Sequence, residues 1–247
     1  MRRPMSTAIV TGGAKRIGAA LIRALAADGW HVLLHYNHSE AEAKALAAEV
    51  GSATIVQADL ADPSSPDRII AALGGLPPAR LLVNNASSFD HDDIRDFTPE
   101  SWAAQMDVNL RAPALLSRAF AAAAGEGLIV NLLDAKLAGP NPDFFSYTIS
   151  KYGLAGVTEL AARAFAPAIR VCGIAPSVTM VSGPQSRANF DKVHSLNALG
   201  RGVRVEEIVA ALRFLIATPS ITGQTILLDG GQRFLGLPRD VQFLEPR

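Results

Sequence analysis

The sequence predicts a doubly wound α/β fold, a parallel β-sheet covered by helices on both faces, and three observations carry that expectation. Short apolar, β-branched runs (Ala8-Ile9-Val10, 53–56, Leu81-Leu82-Val83, 128–133 and 225–228) alternate with longer Ala/Leu/Glu-rich stretches of helical period, the pattern of repeated βαβ units. Strands this continuously apolar are buried on both faces, which calls for helices on each side of the sheet. The Pro/Gly clusters at 76–80 and 139–144 are too short for interdomain linkers and no internal repeat appears, which implies a single domain over 1–247. Ligands bind such sheets at the carboxyl ends of the strands, so chemistry is sought there.

The first strand runs into Thr11-Gly12-Gly13-Ala14-Lys15-Arg16-Ile17-Gly18, and an Ala/Leu-rich helix follows from about residue 19 to 28. Gly12 and Gly13 can take positive φ and bring bare backbone to a pyrophosphate, whose charge the amides at the helix start stabilise; Gly18 lets helix and strand pack closely. The second strand ends His31-Val32-Leu33-Leu34-His35-Tyr36-Asn37-His38-Ser39, with no acid before Glu40. A carboxylate there would bond a ribose 2′-hydroxyl and repel a 2′-phosphate, so its absence, together with Lys15, Arg16, His38 and Ser39, favours NADP(H) over NAD. Asp59, after the third strand, either touches the adenine ring or caps the next helix.

Tyr147-Thr148-Ile149-Ser150-Lys151 lies in a stretch that stays helical in pattern through Glu159 to Phe165, and the spacing of four puts Tyr147 and Lys151 on one face. A phenol is a poor acid at neutral pH, and the nearby Lys151 ammonium is expected to favour its anion and lower its pKa. Other polar groups cluster at strand exits and in a helix: Leu82-Val83-Asn84-Asn85-Ala86-Ser87, Met106-Asp107-Val108-Asn109 and Asn131-Leu132-Leu133-Asp134.

Composition narrows the function classes. Apolar residues make up 49% and charged residues 19%, too apolar for a disordered chain, yet no run is long enough to span a membrane. Lys plus Arg equals Asp plus Glu at 23 each, so no net field favours nucleic acid or an anionic membrane, and the expected partner is a small molecule. One cysteine, Cys172, cannot form an internal disulfide, and Met1-Arg2-Arg3-Pro4-Met5-Ser6 lacks the apolar stretch of a signal peptide, so a cytoplasmic location is expected.

Taken together, these segments resemble the short-chain dehydrogenase/reductase family over residues 7–231. The resemblance implies a Rossmann-type fold and cofactor contacts from the first turn (Gly12, Lys15, Arg16, Ile17) and the second strand exit (His35, Asn37, His38, Ser39). Further contacts would come from Asp59 and Leu60, from Asn85, Ala86 and Ser87, and from Pro176 and Ser177, where Ser177 replaces the usual glycine. Tyr147 would be the acid, Lys151 would also bind the nicotinamide ribose, and Asn109 would hold a helix kink and a water that feeds protons. Ile174-Ala175-Pro176 would flank the nicotinamide, and Leu228-Asp229-Gly230-Gly231 resembles the closing strand. Relatives are commonly tetramers that pair the helices matching 111–124 and 147–165, with Phe234-Leu235-Gly236-Leu237 able to add contacts.

Two departures point to a subgroup. The usual serine thirteen residues before the tyrosine is Asp134, and the middle glycine of the cofactor turn is Arg16; both changes resemble pteridine reductases. So do Asn84-Asn85-Ala86-Ser87-Ser88-Phe89 and Leu34-His35-Tyr36-Asn37-His38-Ser39-Glu40-Ala41-Glu42-Ala43, although their usual arginine is His38 here. By that resemblance Arg16 and Ser87 touch cofactor and pterin, and Phe89 stacks on the pterin ring. Reducing a C=N bond needs a proton at ring nitrogen, and a carboxyl at Asp134 with a raised pKa can relay one through Tyr147.

Lys136 either lowers the pKa of Asp134 or contacts substrate, His91-Asp92-Asp93 reads as a solvated loop without metal-ligand spacing, and Cys172 reads as a small core residue. Segment 179–199, with Met180, Val181, Pro184, Phe190 and Leu196, is expected to form a mobile lid that defines the substrate. Rival readings are a carbonyl or alcohol oxidoreductase acting on another ketone, and a noncatalytic NADP(H)-sensing or scaffold protein, many of which lack the Tyr and Lys present here.

Overall fold

The structure is a computed structural model and describes residues 5–181 and 185–244. Pro184, part of the expected lid, and Met1 to Pro4 lie outside the described residues. The elements alternate as β1 (Thr7–Val10), α1 (Arg16–Ala27), β2 (His31–Tyr36), α2 (Glu40–Val50), β3 (Ala53–Gln57), α3 (Ser65–Ala71) and β4 (Ala79–Asn84). They continue with α4 (Pro99–Met106), α5 (Ala112–Ala124), β5 (Gly127–Leu132), α6 (Phe145–Phe165), β6 (Ile169–Pro176), α7 (Arg187–Val193), α8 (Val205–Ala217) and β7 (Thr225–Leu228). The expected segment 179–199 thus carries a helix, α7.

The seven strands are parallel in the order β3-β2-β1-β4-β5-β6-β7. The chain builds outwards from β1 through β3, then returns to lay β4 on the other side of β1, so the crevice between the β1 and β4 exits is the topological switch point where such sheets bind ligands. Burial follows the two-residue period of a strand. Ala8 and Val10 of β1 join the core beneath α1 and α8, while Ile9 joins the core of Leu116 and Phe120 from α5 on the other face. All three are fully buried, as the sandwiched sheet requires. One strand escapes the reading of apolar runs: β6, interrupted in sequence by Arg170 and Gly173.

A buried polar chain sets α6 on this sheet. Asn84 Nδ2 donates to Asn131 Oδ1 at 2.8 Å, Asn131 Nδ2 donates to Thr158 Oγ1 at 2.8 Å, and Thr158 Oγ1 donates to the Leu154 carbonyl at 2.8 Å. The chain ties β4, β5 and α6 into one register, so the helix bearing Tyr147 and Lys151 cannot slide along the strands without orphaning buried amides. Replacing Thr158 with Val removes the acceptor of Asn131 Nδ2 and is expected to cost about 1–3 kcal/mol, read as a lower urea midpoint. An unchanged midpoint would mean that the chain does not hold α6.

Candidate active site

A cavity of about 730 Å³ opens at the carboxyl ends of the strands, lined by the first turn, the exits of β2 to β6, the amino-terminal part of α6 and, from the carboxyl-terminal stretch, Gly236, Leu237, Asp240, Val241 and Gln242. At its nucleotide end Gly12 has φ +59°, and a Cβ there would meet the Ala86 backbone at 2.9 Å. A Cβ on Gly18 would lie 2.4 Å from the Gly12 carbonyl, which confirms close packing of helix on turn. Gly13 departs from expectation: its φ is not positive, and it is glycine because a Cβ would strike Ile22 Cδ1 at 2.4 Å. Arg16, where a glycine is usual, keeps the left-handed backbone a glycine would adopt, with φ 55°. An L-residue pays for this conformation with about 1–3 kcal/mol of strain, which surrounding contacts must hold. One such contact is a hydrogen bond from its Nη1 to the Val181 carbonyl.

His35 fixes the same turn from below. The Gly12 amide donates to His35 Nδ1 at 3.1 Å, so Nδ1 is bare and Nε2 carries the proton it gives to the Ala58 carbonyl at 3.0 Å. Burial lowers the pKa of His35 and keeps the ring neutral. Thr11 Oγ1 accepts from the Asn85 and Ala86 amides at 3.0 and 3.1 Å, and Asn85 Nδ2 donates to the Thr11 and Gly12 carbonyls at 2.8 and 3.1 Å. These bonds close the crevice between β1 and β4 into one rigid cradle.

At the reacting end Tyr147 Oη donates to Asp134 Oδ2 at 2.8 Å, and Asp134 Oδ1 accepts from the Lys136 amide at 2.8 Å. Burial raises the pKa of Asp134. Tyr147 goes well above its ordinary value, through burial first and the Asp134 charge second. This corrects the expectation of an acidified phenol. Lys151 Nζ lies 5.4 Å from the Tyr147 ring centre and donates to the Leu132 carbonyl at 2.8 Å, while burial lowers its own pKa to about 8. The phenol is therefore held neutral, as a donor to a carboxylate.

Helix α6, which carries both side chains, follows its N-cap Phe144, a second non-glycine residue in the left-handed region with φ 56°. Its exposed amides are satisfied from far away in sequence: Phe145 N donates to the Asp92 carbonyl at 3.0 Å and Ser146 N to Asp92 Oδ1 at 2.9 Å. Asp92 is thus buried and caps this helix, which overturns the solvated-loop reading for that residue. Phe89 packs face to face on Phe144 at 4.2 Å between ring centres and edge-on to Tyr147 at 4.7 Å.

The cavity gathers Gly12, Lys15, Arg16, Ile17, His35, Asn37, Asp59, Leu60, Asn85, Ala86, Ser87, Phe89, Asp134, Tyr147, Lys151, Pro176 and Ser177. His38 and Ser39 are not in its lining; His38 is exposed and Ser39 precedes α2, so at the second strand exit the cavity wall is His35 and Asn37 instead. Lys15 is turned to Glu42 at 2.6 Å on the surface. Asp59 Oδ1 accepts from Ala61 N at 2.9 Å within the turn before α3, whose N-cap is Ser64, so Asp59 does not cap that helix and lines the cavity instead. Asn109 sits in a π-helical turn, Asp107–Arg111, so the expected kink is present. The residue itself lies outside the lining: its Oδ1 accepts from Ser88 N at 2.8 Å and its Nδ2 donates to Ser150 Oγ at 3.1 Å, which makes it a brace between the Ser87 loop and α6. Sequence reasoning missed Thr11, Asp92 and the wall formed by Leu237, Asp240, Val241 and Gln242. Only Thr11, directly before the glycine turn, carried a local signal.

A parallel sheet with a glycine turn at its switch point and a Tyr/Lys pair facing the cavity defines a nucleotide-dependent oxidoreductase, and comparison with known proteins agrees. Residues 12–233 match the family described as Enoyl-(Acyl carrier protein) reductase. The chain belongs to the short-chain dehydrogenase/reductase family. It is 31% identical to the 3-oxoacyl-[acyl-carrier-protein] reductase of Synechocystis sp. over 91% of this chain and 95% of that one. Against pteridine reductase 1 of Leishmania tarentolae the identity is 30%, over 91% and 95% of the two chains. Among solved structures, FolM alternative dihydrofolate reductase 1 from Brucella canis, complexed with NADP, superposes with a TM-score of 0.85 at 38% identity, over 93% of this chain and 94% of that one.

The neutral His35 gives a pH signature. Its folded pKa lies below the unfolded value of about 6.5, so its contribution to stability is complete above that pH and is lost as pH falls beneath it. His35→Gln, which keeps an acceptor and a donor but cannot titrate, is expected to flatten stability between pH 7 and 5 by up to about 1.4 kcal/mol per pH unit relative to wild type. Parallel curves from denaturant melts at each pH would show that His35 does not hold the turn as a neutral ring.

Proposed function

We propose that this chain is an NADPH-dependent reductase of a pteridine or related heterocycle. The observation that carries the reading is the carboxylate of Asp134 bonded at 2.8 Å to the hydroxyl of Tyr147, in a cavity also lined by Phe89 and Arg16. A carbonyl reductase needs a hydroxyl to hold its substrate oxygen, whereas reduction of a C=N bond needs a proton reservoir beside the ring nitrogen. The NADP named in the Brucella canis structure and the pteridine reductase from Leishmania tarentolae support cofactor and substrate class respectively.

When bound at this site, reduced nicotinamide would supply the hydride for the ring carbon. Asn85, Lys151 and the Gly12 turn would hold the cofactor, and Phe89, which lines the cavity, would take the flat substrate. Tyr147 passes its hydroxyl proton to ring nitrogen as the C=N bond is reduced. Because the buried phenolate is strongly disfavoured, the replacement proton must arrive from protonated Asp134 in the same event. The raised pKa of Asp134 lets it hold that proton closer to neutral pH than an ordinary carboxyl. The neutral Lys151 above about pH 8 would weaken the charge that anchors the cofactor ribose. Assembly as a homotetramer through α5 and α6 is part of the proposal, supported by the exposed Ile149, Tyr152 and Leu160 on α6.

Dihydrobiopterin turnover with NADPH is the direct test, and no activity on any pterin would remove this substrate class. Tyr147→Phe is expected to lower kcat by about 100-fold or more with NADPH affinity retained. Asp134→Ser separates the two enzyme readings: loss on the pterin of about 100-fold or more supports proton supply by the carboxyl, while unchanged or raised turnover of a ketone panel supports a carbonyl reductase. In wild type, pterin turnover is expected to fall as pH rises through the Asp134 pKa, since the proton held there is consumed.

A further inference from the structure

Residues 237–244, beyond the last strand, form a strap across the cavity, and its attachment is unlike an ordinary surface tail. Asp143, buried just before α6, accepts from Arg239 Nε at 2.9 and 2.7 Å and from the Asp240 amide at 2.7 Å, and pairs with Arg239 Nη2 at 2.6 Å. His91 Nε2 approaches the same carboxylate at 3.6 Å. Asp240 in turn pairs at 2.9 Å with Lys136, whose Nζ also donates to Asn141 Oδ1 at 2.7 Å. The charge of Lys136 also acts to lower the pKa of Asp134, the first of the two roles expected for it, while its ammonium ties the strap to the loop after β5. Further along, Phe243 lies over Phe144 at 5.9 Å and edge-on to His91 at 4.8 Å, and the Gln242 carbonyl accepts from Asn189 Nδ2 of α7 at 3.4 Å. The strap therefore bridges the loop before α6 to the helix of the lid segment.

Four features make this more than packing. Leu237, Asp240, Val241 and Gln242 line the cavity itself. The Lys136–Asp240 ion pair is nearly dry, and the Asp143 carboxylate is buried although its partner Arg239 is half exposed, so a lost partner leaves a buried charge uncompensated. The strap reaches the proposed stacking ring through contacts, since Phe243 backs Phe144 and Phe144 backs Phe89. Its clamp also joins two walls that are 96 residues apart in sequence, so cavity width is fixed by tertiary bonds rather than by a local turn.

We propose that the strap is the substrate-side wall of the site and that Asp143 and Arg239 are positioning residues which set the size of heterocycle admitted, favouring a bicyclic ring with a short substituent over one with a long tail. The assignment of a heterocycle rests on the proposed function; the role of the wall does not. With the clamp intact the wall cannot retreat, so bulk beyond the ring is excluded by sterics and by the cost of exposing the Asp143 carboxylate unpaired.

Arg239→Ala removes the half-exposed arm of the clamp, and Arg239→Lys keeps its charge. The measurement is kcat/KM for dihydrobiopterin and for dihydrofolate, a compact and a long-tailed dihydropterin, with NADPH affinity and thermal melting as controls. The expected result for Arg239→Ala is a higher KM for dihydrobiopterin and a shift of selectivity towards dihydrofolate by about tenfold, with NADPH affinity retained and the shift partly reversed in Arg239→Lys. Equal loss on both substrates, or no shift, would overturn the proposal. Should Arg239→Ala fail to fold, Phe243→Ala tests the same wall from its aromatic side and is expected to shift selectivity in the same sense. If wild type reduces no pterin, the heterocycle reading fails by itself, and the same variants are read on a short and a long ketone, where an unchanged ratio overturns the strap as a wall.

Discussion

The site depends on one hydrogen bond made in a dry place: the Tyr147 hydroxyl to the Asp134 carboxylate at 2.8 Å. In water such a bond would exchange freely with solvent, but burial raises both pKa values, so the phenol keeps its proton and the Asp134 carboxyl takes up a second more readily than an exposed one would. Lys151 does not undo this. Its ammonium is anchored on the Leu132 carbonyl and is itself made easier to deprotonate by burial. The pair is thus suited to handing a proton onward, and poorly suited to resting as a phenolate.

The remainder of the molecule holds that bond in place. The Asn84–Asn131–Thr158 chain fixes α6 against the sheet, Asp92 caps its first turn, and the strained Phe144 backbone turns the chain so that Tyr147 faces Asp134. At the other end the strained Arg16 and the neutral His35 shape the nucleotide turn. Of the two non-glycine residues with positive φ among the described residues, Arg16 lines the cavity and Phe144 stacks on Phe89, which lines it, so strain is stored beside the site.

How legible all this was in the sequence follows from range. The βα alternation was readable because central strands buried on both faces are apolar throughout; β6 was not, because Arg170 and Gly173 break the run and tertiary contacts repay the difference. The residues brought together at strand exits were legible for the same topological reason. Asp92 looked solvated because its partners, the amides of Phe145 and Ser146, lie more than fifty residues away, and the strap was invisible because Asp143 meets Arg239 across 96 residues. The direction of the Tyr147 shift was misread because spacing along a helix shows that Lys151 shares its face but says nothing of distance, and Asp134 turned out to be the nearer charge.

The most direct measurement of the central claim is the ionisation state of Tyr147, followed by the near-ultraviolet phenolate band in difference titrations of wild type against Tyr147→Phe. A neutral phenol bonded to Asp134 predicts no phenolate from this residue through neutral and mildly alkaline pH, with ionisation only above the ordinary tyrosine range. A phenolate appearing near neutral pH would contradict the account and return the acidifying role to Lys151.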